Sequence, residues 1–281
     1  MICAWKEFLN ILPEWLRNDV DKQGQDTLQE LRLRINKPPE LICCKSNFLP
    51  GRNVSKDDIN FCINAASRYS PWAAESIQQG YLTTRGGHRI GICGQAIAES
   101  GRIRGVRSAS SICIRIARDF PGISAPLTNQ KGSVLILGSP GSGKTTLLRD
   151  LIRQKSNTYC RCVAVLDERG ELFPEEAPFE TGSHTDVLTG CGKQEGITML
   201  LRCMGPDVIA VDEITAEADC DALIRAGWSG VELLATAHAN DISDLHNRPV
   251  YRKLWESKLF DWIVTLRSDK TWSAERVNHE S

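Results

Sequence analysis

The sequence lacks any uninterrupted apolar run that approaches the roughly 20 residues of a membrane-spanning helix. It also lacks a signal peptide, because residues 1–7 already contain charged side chains and no apolar stretch follows them. These two absences predict a soluble, cytoplasmic protein with no transmembrane segment. If the protein serves a membrane, we expect it to act peripherally, through partners.

An excess of charge of either sign is also missing. Lysines plus arginines number 34 and aspartates plus glutamates 35, which leaves a formal net charge of −1. Because the tryptophans are scattered and not interleaved with basic residues, we expect no direct nucleic-acid partner. The fractions of 41% hydrophobic and 25% charged residues are typical of a globular protein and exclude disordered, collagen-like and coiled-coil classes.

Paired cysteines with metal-ligand spacing are absent as well. The chain has 11 cysteines but no Cys-x-x-Cys motif, and Cys43 and Cys44 are adjacent. Several cysteines lie within apolar runs, which favours reduced, partly buried thiols that pack as small hydrophobic residues. A zinc or redox role is the alternative, and the missing ligand spacing weighs against it.

A stretch with two prolines and a glycine, residues 121–131, is the predicted linker between two domains. We predict a smaller α+β domain over residues 1–122. A second domain is predicted over residues 123–281.

The first of these domains shows mixed helical and strand patterns. Helical spacing of apolar residues predicts a first helix that ends at Pro13. Alternating residues predict a strand at 31–35, and Ser55 with Asp58 is typical of a capping box at the start of a helix. Short strand-like runs broken by glycine follow up to residue 116.

The second domain alternates buried strands with amphipathic helices. Short apolar runs, typical of strands buried on both faces, lie at residues 134–137, 163–166, 208–211, 233–235 and 263–266. Helical patterns separate them. This alternation predicts an α/β fold with a parallel sheet covered by helices on both sides.

The strongest motif follows the first of these strands. It consists of Gly138, Ser139, Pro140, Gly141, Ser142, Gly143, Lys144 and Thr145, followed by Thr146, and it matches G-x-x-x-x-G-K-[ST]. Its glycines let successive N–H groups point into one hollow, and the helix N-terminus adds positive charge there. We expect ATP as ligand, with Lys144 on the β and γ phosphates and the Thr145 hydroxyl on Mg²⁺. We therefore predict a RecA/AAA-like P-loop sheet; the alternative is a chance glycine-rich turn.

Acidic residues end two later strands. Asp212 and Glu213 follow the run at 208–211, where open α/β sheets bind ligands. We expect Asp212 to hold Mg²⁺ through water and Glu213 to polarise the attacking water. Glu168 follows the run at 163–166 and is a second candidate for orienting water or Mg²⁺. The alternative for Glu168 is a solvated turn in which Arg169 pairs with a neighbour.

A histidine and several arginines complete the set of candidate residues. His238 ends the strand at 233–235, where it could sense the γ phosphate or couple the site to a neighbouring subunit; it could equally be a surface or satisfied core residue. Arg89, Arg115 and Arg118 are candidates for a guanidinium that reaches a phosphate, in the same subunit or the next. The alternative for these arginines is an ordinary solvated face.

Several motifs together resemble one family. These are Gly-Gly-His-Arg-Ile-Gly at 86–91, the segment 110–118, the P-loop, Asp-Glu-Arg at 167–169, the segment 206–214 and Ala-Thr-Ala-His at 235–238. In this order they closely resemble the stage III sporulation protein AA family of endospore-forming bacteria. More distantly they are similar to the secretion ATPases of type II and type IV systems.

The resemblance implies a mother-cell ATPase that forms a hexamer and serves a channel between mother cell and forespore, together with membrane components of that channel. It implies that Glu168 is the acidic strand end and His238 the histidine box. It also implies the phosphate and metal roles of Lys144, Thr145 and Asp212. One departure is visible, because the secretion-ATPase segment Gly-Glu-Ile-Arg ends here in Thr215, without the arginine. After Asn240 little of the family is recognisable.

Four functions remain open from sequence. An ATP-hydrolysing motor leads, and a nucleotide-binding assembly scaffold with negligible turnover is the main alternative. A P-loop kinase is the third, and the Asp-Glu pair argues against it, because a glutamate that activates water would cause the kinase to hydrolyse ATP wastefully. A nucleic-acid-dependent ATPase gains no support from the net charge.

Overall fold

The structure is a computed structural model that describes residues 1–43, 46–68, 80–99, 102–127, 129–174 and 176–278. Cys44, Trp72 and, in the predicted linker, Thr128 lie outside the described residues. The chain separates into two compact units. One comprises Ile2–Arg118 with Pro174–Pro178, and the other comprises Met1, Asp119–Phe173 and Phe179–Ser281.

The N-terminal unit combines helices with an antiparallel sheet. Its elements are α1 (Trp5–Asn10), α2 (Glu14–Asp21), β1 (Glu30–Arg34), β2 (Glu40–Ile42), β3 (Ser46–Phe48), α3 (Lys56–Ser67), β4 (Tyr81–Thr83), β5 (Arg89–Glu99) and β6 (Arg102–Arg115). The six strands are ordered β3-β2-β1-β6-β5-β4, and every pair is antiparallel.

Local sequence signals explain several of these elements. The predicted first helix and the strand at 31–35 are confirmed as α1 and β1. Ser55 and Asp58 form the predicted capping box at the start of α3, with reciprocal bonds of 3.1 Å and 2.8 Å. The last strand-like runs before residue 116 belong to a single long strand, β6, which continues through its glycine and pairs with β5 along its length.

The second unit is an α/β sheet. Its elements are a 3₁₀ turn (Ala125–Leu127), β7 (Val134–Leu137), α4 (Lys144–Tyr159), β8 (Val163–Asp167), β9 (Thr185–Thr189), α5 (Lys193–Cys203), β10 (Val208–Ile214), α6 (Glu217–Trp228), β11 (Glu232–Ala237), α7 (Ile242–Asn247), α8 (Pro249–Glu256), β12 (Trp262–Leu266) and β13 (Trp272–Arg276). The order is β13-β12-β7-β11-β10-β8-β9. All neighbours are parallel except β13, which pairs antiparallel with β12.

Helices cover both faces of this sheet. Val211 of β10 packs in one apolar cluster with Ile197 of α5 and Leu223 of α6. Because side chains alternate along a strand, the neighbouring Ala210 points to the other face, where α4 contacts β7, β10 and β11. Both residues of β10 are fully buried. The predicted P-loop α/β fold with helices on both sides of a largely parallel sheet is therefore confirmed.

The strand order determines which loops meet. Strands β7, β11, β10 and β8 are consecutive neighbours and run in the same direction, so the loops at their carboxyl ends share one edge of the sheet. The P-loop, His238 and Glu168 lie in those loops. Asp212 and Glu213 lie in the last residues of β10, at the same edge. Among the residues that the structure describes, no helix combines the length and apolarity needed to cross a membrane.

Candidate nucleotide site

The P-loop joins β7 to α4 and depends on glycine at defined positions. Gly141 and Gly143 have φ angles of +75° and +106°, in the region that only glycine adopts without strain. At Gly138 a side chain is excluded by space, because a Cβ there would lie 2.5 Å from Ser142 Oγ. The tight curl of the loop therefore follows directly from its glycine pattern.

Lys144 opens α4, and its ammonium group is buried in the loop, with the residue only 6% exposed. Nζ donates to the carbonyl oxygens of Gly138 and Ser139 at 2.8 Å and 3.0 Å. Burial lowers the pKa of Lys144, and the more distant charges of Asp212 and Glu213 oppose that shift. Within the described residues no carboxylate forms a salt bridge with it. A buried cation without a contacting anion fits a site for phosphate.

Asp212 contacts a P-loop threonine and a threonine of β11. Thr145 Oγ1 donates to Asp212 Oδ2 at 2.8 Å, and Thr236 Oγ1 donates to Asp212 Oδ1 at 2.6 Å. The same Thr236 oxygen accepts a bond from the backbone N–H of Glu213 at 2.8 Å. A hydroxyl and a carboxylate in contact are hard oxygen ligands of the kind that Mg²⁺ prefers.

Glu213 lies at a break in the regular pairing of β10. The register with β11 shifts between Val211 and Ile214, and Glu213 has φ +54°. A bulge of this kind redirects a side chain near a strand end. Glu213 Oε1 lies 3.1 Å from His238 Nε2, and Oε2 lies 3.4 Å from a guanidinium nitrogen of Arg169.

His238 connects the lysine to the glutamate. Its Nδ1 lies 3.0 Å from Lys144 Nζ. Because an ammonium group can only donate, Nδ1 must accept, so Nε2 carries the proton and donates to Glu213. Tyr251 supports this end of the sheet: its hydroxyl donates to the carbonyl of Ile214 at 3.1 Å and accepts from the backbone N–H of His238 at 3.3 Å.

The acidic residues at the end of β8, Asp167 and Glu168, have partners of a different kind. Asp167 is 2% exposed, and its carboxylate accepts backbone N–H bonds from Glu171, Leu172 and Phe173 at 2.8, 3.0 and 2.9 Å. Burial raises the pKa of Asp167, although these bonds act against the shift. Glu168 forms an ion pair with Lys193 of α5.

Glu168 does not contact Lys144 or Thr145 through any described hydrogen bond. It lines one small polar cavity together with Asp212 and Glu213. Its predicted role on water or Mg²⁺ stays a prediction.

The three candidate arginines have partners within the N-terminal unit. Arg115 lies 3.4 Å from a carboxylate oxygen of Glu30, and the Arg89 guanidinium lies 4.3 Å from the centre of the Tyr81 ring. Arg118 donates to the backbone carbonyl of Leu28. Their role toward a phosphate stays a prediction.

Four partners in the site are absent from the sequence predictions: Thr236, Tyr251, Lys193 and Arg169 as a partner of Glu213. Thr236 lies two residues before His238, and residues with this spacing share one face of a strand, which is a signal that could have suggested it. For Tyr251 and Lys193 the sequence offers no comparable signal.

Comparison with known proteins agrees with this architecture. The chain is 38% identical to the stage III sporulation protein AA of Bacillus subtilis, over 94% of this chain and 91% of that protein. It is 29% identical to the type IV pilus assembly ATPase TfpB of Acinetobacter baylyi, over 40% of this chain and 18% of that protein.

The fold is also that of a known motor protein. The crystal structure of the pilus retraction motor PilT with bound ADP matches with a TM-score of 0.58 at 18% identity, over 89% of this chain and 77% of that one. A family model described as "Sporulation stage III, protein AA" matches residues 5–277. This chain therefore belongs to the sporulation stage III protein AA family.

Proposed function

We propose that this chain is a Mg²⁺-dependent ATPase that works as an assembly or transport motor in sporulation. The observation that carries the proposal is the 2.8 Å contact between Thr145 Oγ1 and Asp212 Oδ2, beside the buried ammonium group of Lys144. The P-loop thus presents a cation for phosphate and, together with Asp212, oxygen ligands for a metal ion. ADP in the crystal structure of PilT adds support, because the two chains share a fold.

In this proposal the P-loop, residues 138–146, holds the triphosphate of ATP. Lys144 exchanges its bonds to Gly138 and Ser139 for bonds to the β and γ phosphates, which removes the cost of a buried unpaired cation. Thr145 and Asp212 are the residues that would hold Mg²⁺. The ion, when bound, neutralises negative charge that develops on the phosphate oxygens.

Glu213 is the residue that orients the attacking water. The water oxygen forms a bond to the γ phosphorus while the bond from phosphorus to the β–γ bridging oxygen breaks, and Glu213 accepts the water proton. In this proposal His238 reports whether a γ phosphate is present, and its contacts with Glu213 and Lys144 support that role. Glu168 adds a further carboxylate to the cavity that Asp212 and Glu213 line.

We further propose that the protein acts in the cytoplasm as a hexamer, peripherally at the membrane, with membrane components of a secretion-like sporulation channel. An arginine of the preceding domain, Arg89, Arg115 or Arg118, would complete the site of a neighbouring subunit. A domain boundary between residues 122 and 123 would give such a ring a movable element. The sporulation relative and the pilus assembly ATPase are the support for this assembly.

A second candidate function is a nucleotide-dependent scaffold with negligible turnover. One observation favours it: both carboxylate oxygens of Glu213 already have partners, His238 on one side and Arg169 on the other. A carboxylate held by a donor on each oxygen is less free to turn toward an attacking water and accept its proton.

Phosphate release and mass measurement separate these functions. Wild type, Lys144→Ala and Glu213→Gln are each assayed with Mg-ATP, and particle mass is measured with and without ATP. If the protein is a motor, the wild type hydrolyses ATP and both variants lose hydrolysis. Glu213→Gln then still binds ATP. If the protein is a scaffold, the wild type assembles with ATP, but it releases no more phosphate than Glu213→Gln does. Wild type that binds no Mg-ATP contradicts both functions.

A further inference from the structure

The turn that joins β12 to β13 lies beside the P-loop, on the side opposite the acidic residues. β12 pairs in parallel with β7, and β11 pairs with the other edge of β7. The P-loop is therefore flanked by His238 and Asp212 on one side and by residues 267–271 on the other. The turn is held by its own bonds, since the N–H of Arg267 donates to Thr271 O at 2.9 Å and the N–H of Lys270 to Arg267 O at 3.0 Å.

Two side chains of this hairpin contact the P-loop. Lys270 Nζ donates to the backbone carbonyl of Gly141 at 2.9 Å. Leu266 packs beneath the loop, because a Cβ on Gly138 would lie 3.2 Å from the Leu266 Cβ and one on Gly143 would lie 3.6 Å from its Cδ2. One residue of the hairpin thus supports the loop from below, and another holds a carbonyl at its tip.

We propose that Lys270 is a positioning residue of the nucleotide site, which keeps the tip of the P-loop in its phosphate-binding conformation. This inference rests on the proposed nucleotide binding and extends the site to a segment beyond the motifs described in the sequence. In a trans peptide the C=O and the following N–H point in opposite directions. A cation that holds the Gly141 carbonyl outward therefore keeps the Ser142 N–H directed inward.

The loop needs such a restraint at this point. Gly141 is free to rotate because it has no side chain, and rotation of its peptide would turn the Ser142 N–H away from the hollow. That N–H now donates to Ser139 O at 3.2 Å, a long bond that a phosphate oxygen can replace. Preordering the donors lowers the entropy loss that accompanies binding.

The backbone conformation of Lys270 is unusual for a lysine. It has φ +70°, a left-handed conformation that glycine adopts without strain and lysine adopts at a cost. A turn residue chosen for stability alone would be glycine or asparagine. Strain of this kind is expected where a side chain has a task, and here the side chain binds the carbonyl of Gly141.

The affinity for Mg-ADP tests the proposal, because ADP is not consumed. We expect Lys270→Met to weaken Mg-ADP binding about fivefold, as loss of an exposed charge-assisted hydrogen bond does, and Lys270→Arg to restore it within about twofold. Glu275→Gln on β13 is the matched control and should bind as wild type. Equal affinity of wild type and Lys270→Met overturns the proposal.

Lys270→Gly separates positioning from simple stabilisation. It removes the ammonium group and relieves the strained backbone, so we expect the melting temperature to be maintained or raised while Mg-ADP binding weakens about fivefold. A variant that loses melting temperature and affinity together would make Lys270 a purely structural residue and refute the proposal. If wild type itself binds no Mg-ADP, it is the proposed function that fails.

Discussion

Two neighbouring strands of the α/β sheet have the same dipeptide, Asp-Glu, at their carboxyl ends or next to them, yet the two pairs have different contacts. Asp167 is buried under its own turn and accepts three backbone N–H bonds, while Glu168 is paired with Lys193. Asp212 contacts the P-loop threonine, and Glu213 contacts the histidine that reaches Lys144. The first Asp shapes a loop, and the second lies in the candidate nucleotide site.

Position in the sheet explains the difference. β10 is separated from the P-loop strand β7 by β11 alone, whereas β8 is one strand farther away. The local backbone adds to this difference. The chain after β8 folds back over Asp167, and the irregular pairing at the end of β10 redirects Glu213. Identical residue types therefore acquire different chemistry from strand order and from the turn that follows.

The largest expected effect comes from removing the charge of each aspartate in turn. We expect Asp212→Asn to lower the rate of ATP hydrolysis at least about 100-fold and to raise the Mg²⁺ concentration needed, because an amide is a poor ligand for Mg²⁺. Asp167→Asn should retain hydrolysis within about threefold. Rates measured against Mg²⁺ concentration test both, and equal losses in the two variants would erase the contrast.

Unfolding should show the opposite ranking. In Asp167→Asn the side-chain carbonyl cannot accept all three backbone N–H bonds, and the amide nitrogen meets other donors. We expect the free energy of unfolding at pH 7 to fall by about 1–2 kcal/mol, as for buried groups left unsatisfied. Urea unfolding of Asp167→Asn and Asp212→Asn measures this. The prediction is wrong if Asp212→Asn is destabilised as much.

Changing the pH sharpens the same comparison. Burial raises the pKa of Asp167, so the unfolded chain, near the ordinary value of about 4, ionises before the folded chain does. The pH-dependent part of the stability that Asp167 contributes is therefore fully present below about pH 4 and declines as the pH rises through the raised pKa, while the part that comes from its backbone hydrogen bonds remains at pH 7. We expect the stability difference between wild type and Asp167→Asn to shrink from about pH 4 to pH 7. A difference that grows with pH would contradict the direction of the shift.

Sequence patterns anticipate the regions of the molecule that depend on local chemistry. The P-loop, the buried strands and the capping box at Ser55 follow from residue type and spacing alone, and the structure has them where the patterns predict. Short or polar strands carry no such signal. β2, β3, β9 and β13 are not predicted because their side chains lack a clear alternation, and α2 is missed because Pro13 looks like a helix end and serves as the residue before a helix.

Contacts between distant segments could not be predicted in the same way. Nothing in the residues near 168 and 213 says which of the two acidic ends will be nearer to the P-loop, since that depends on strand order. The same holds for Thr236, which binds Asp212, and for Lys270, which lies 129 residues after the glycine it contacts. These contacts depend on parallel pairing of segments far apart in sequence.

The smallest expected effects concern the cations that hold the two glutamates. Arg169 and Glu213 are 53% and 32% exposed and 3.4 Å apart, and such pairs contribute about 0–1 kcal/mol. We expect Arg169→Ala to change the hydrolysis rate by no more than about fivefold, and to raise it if the arginine restrains Glu213 from accepting a proton.

Lys193→Ala is the matched variant on the other pair, and it should leave the rate within about twofold because Glu168 lies away from the P-loop lysine. Single-turnover phosphate release distinguishes the two variants from each other and from wild type. A faster phosphate release by Arg169→Ala would mean that the contact with Arg169 restrains Glu213. Release of the arginine would then be the step that activates the site. A larger effect from Lys193→Ala would instead give the pair after β8 the greater role in hydrolysis.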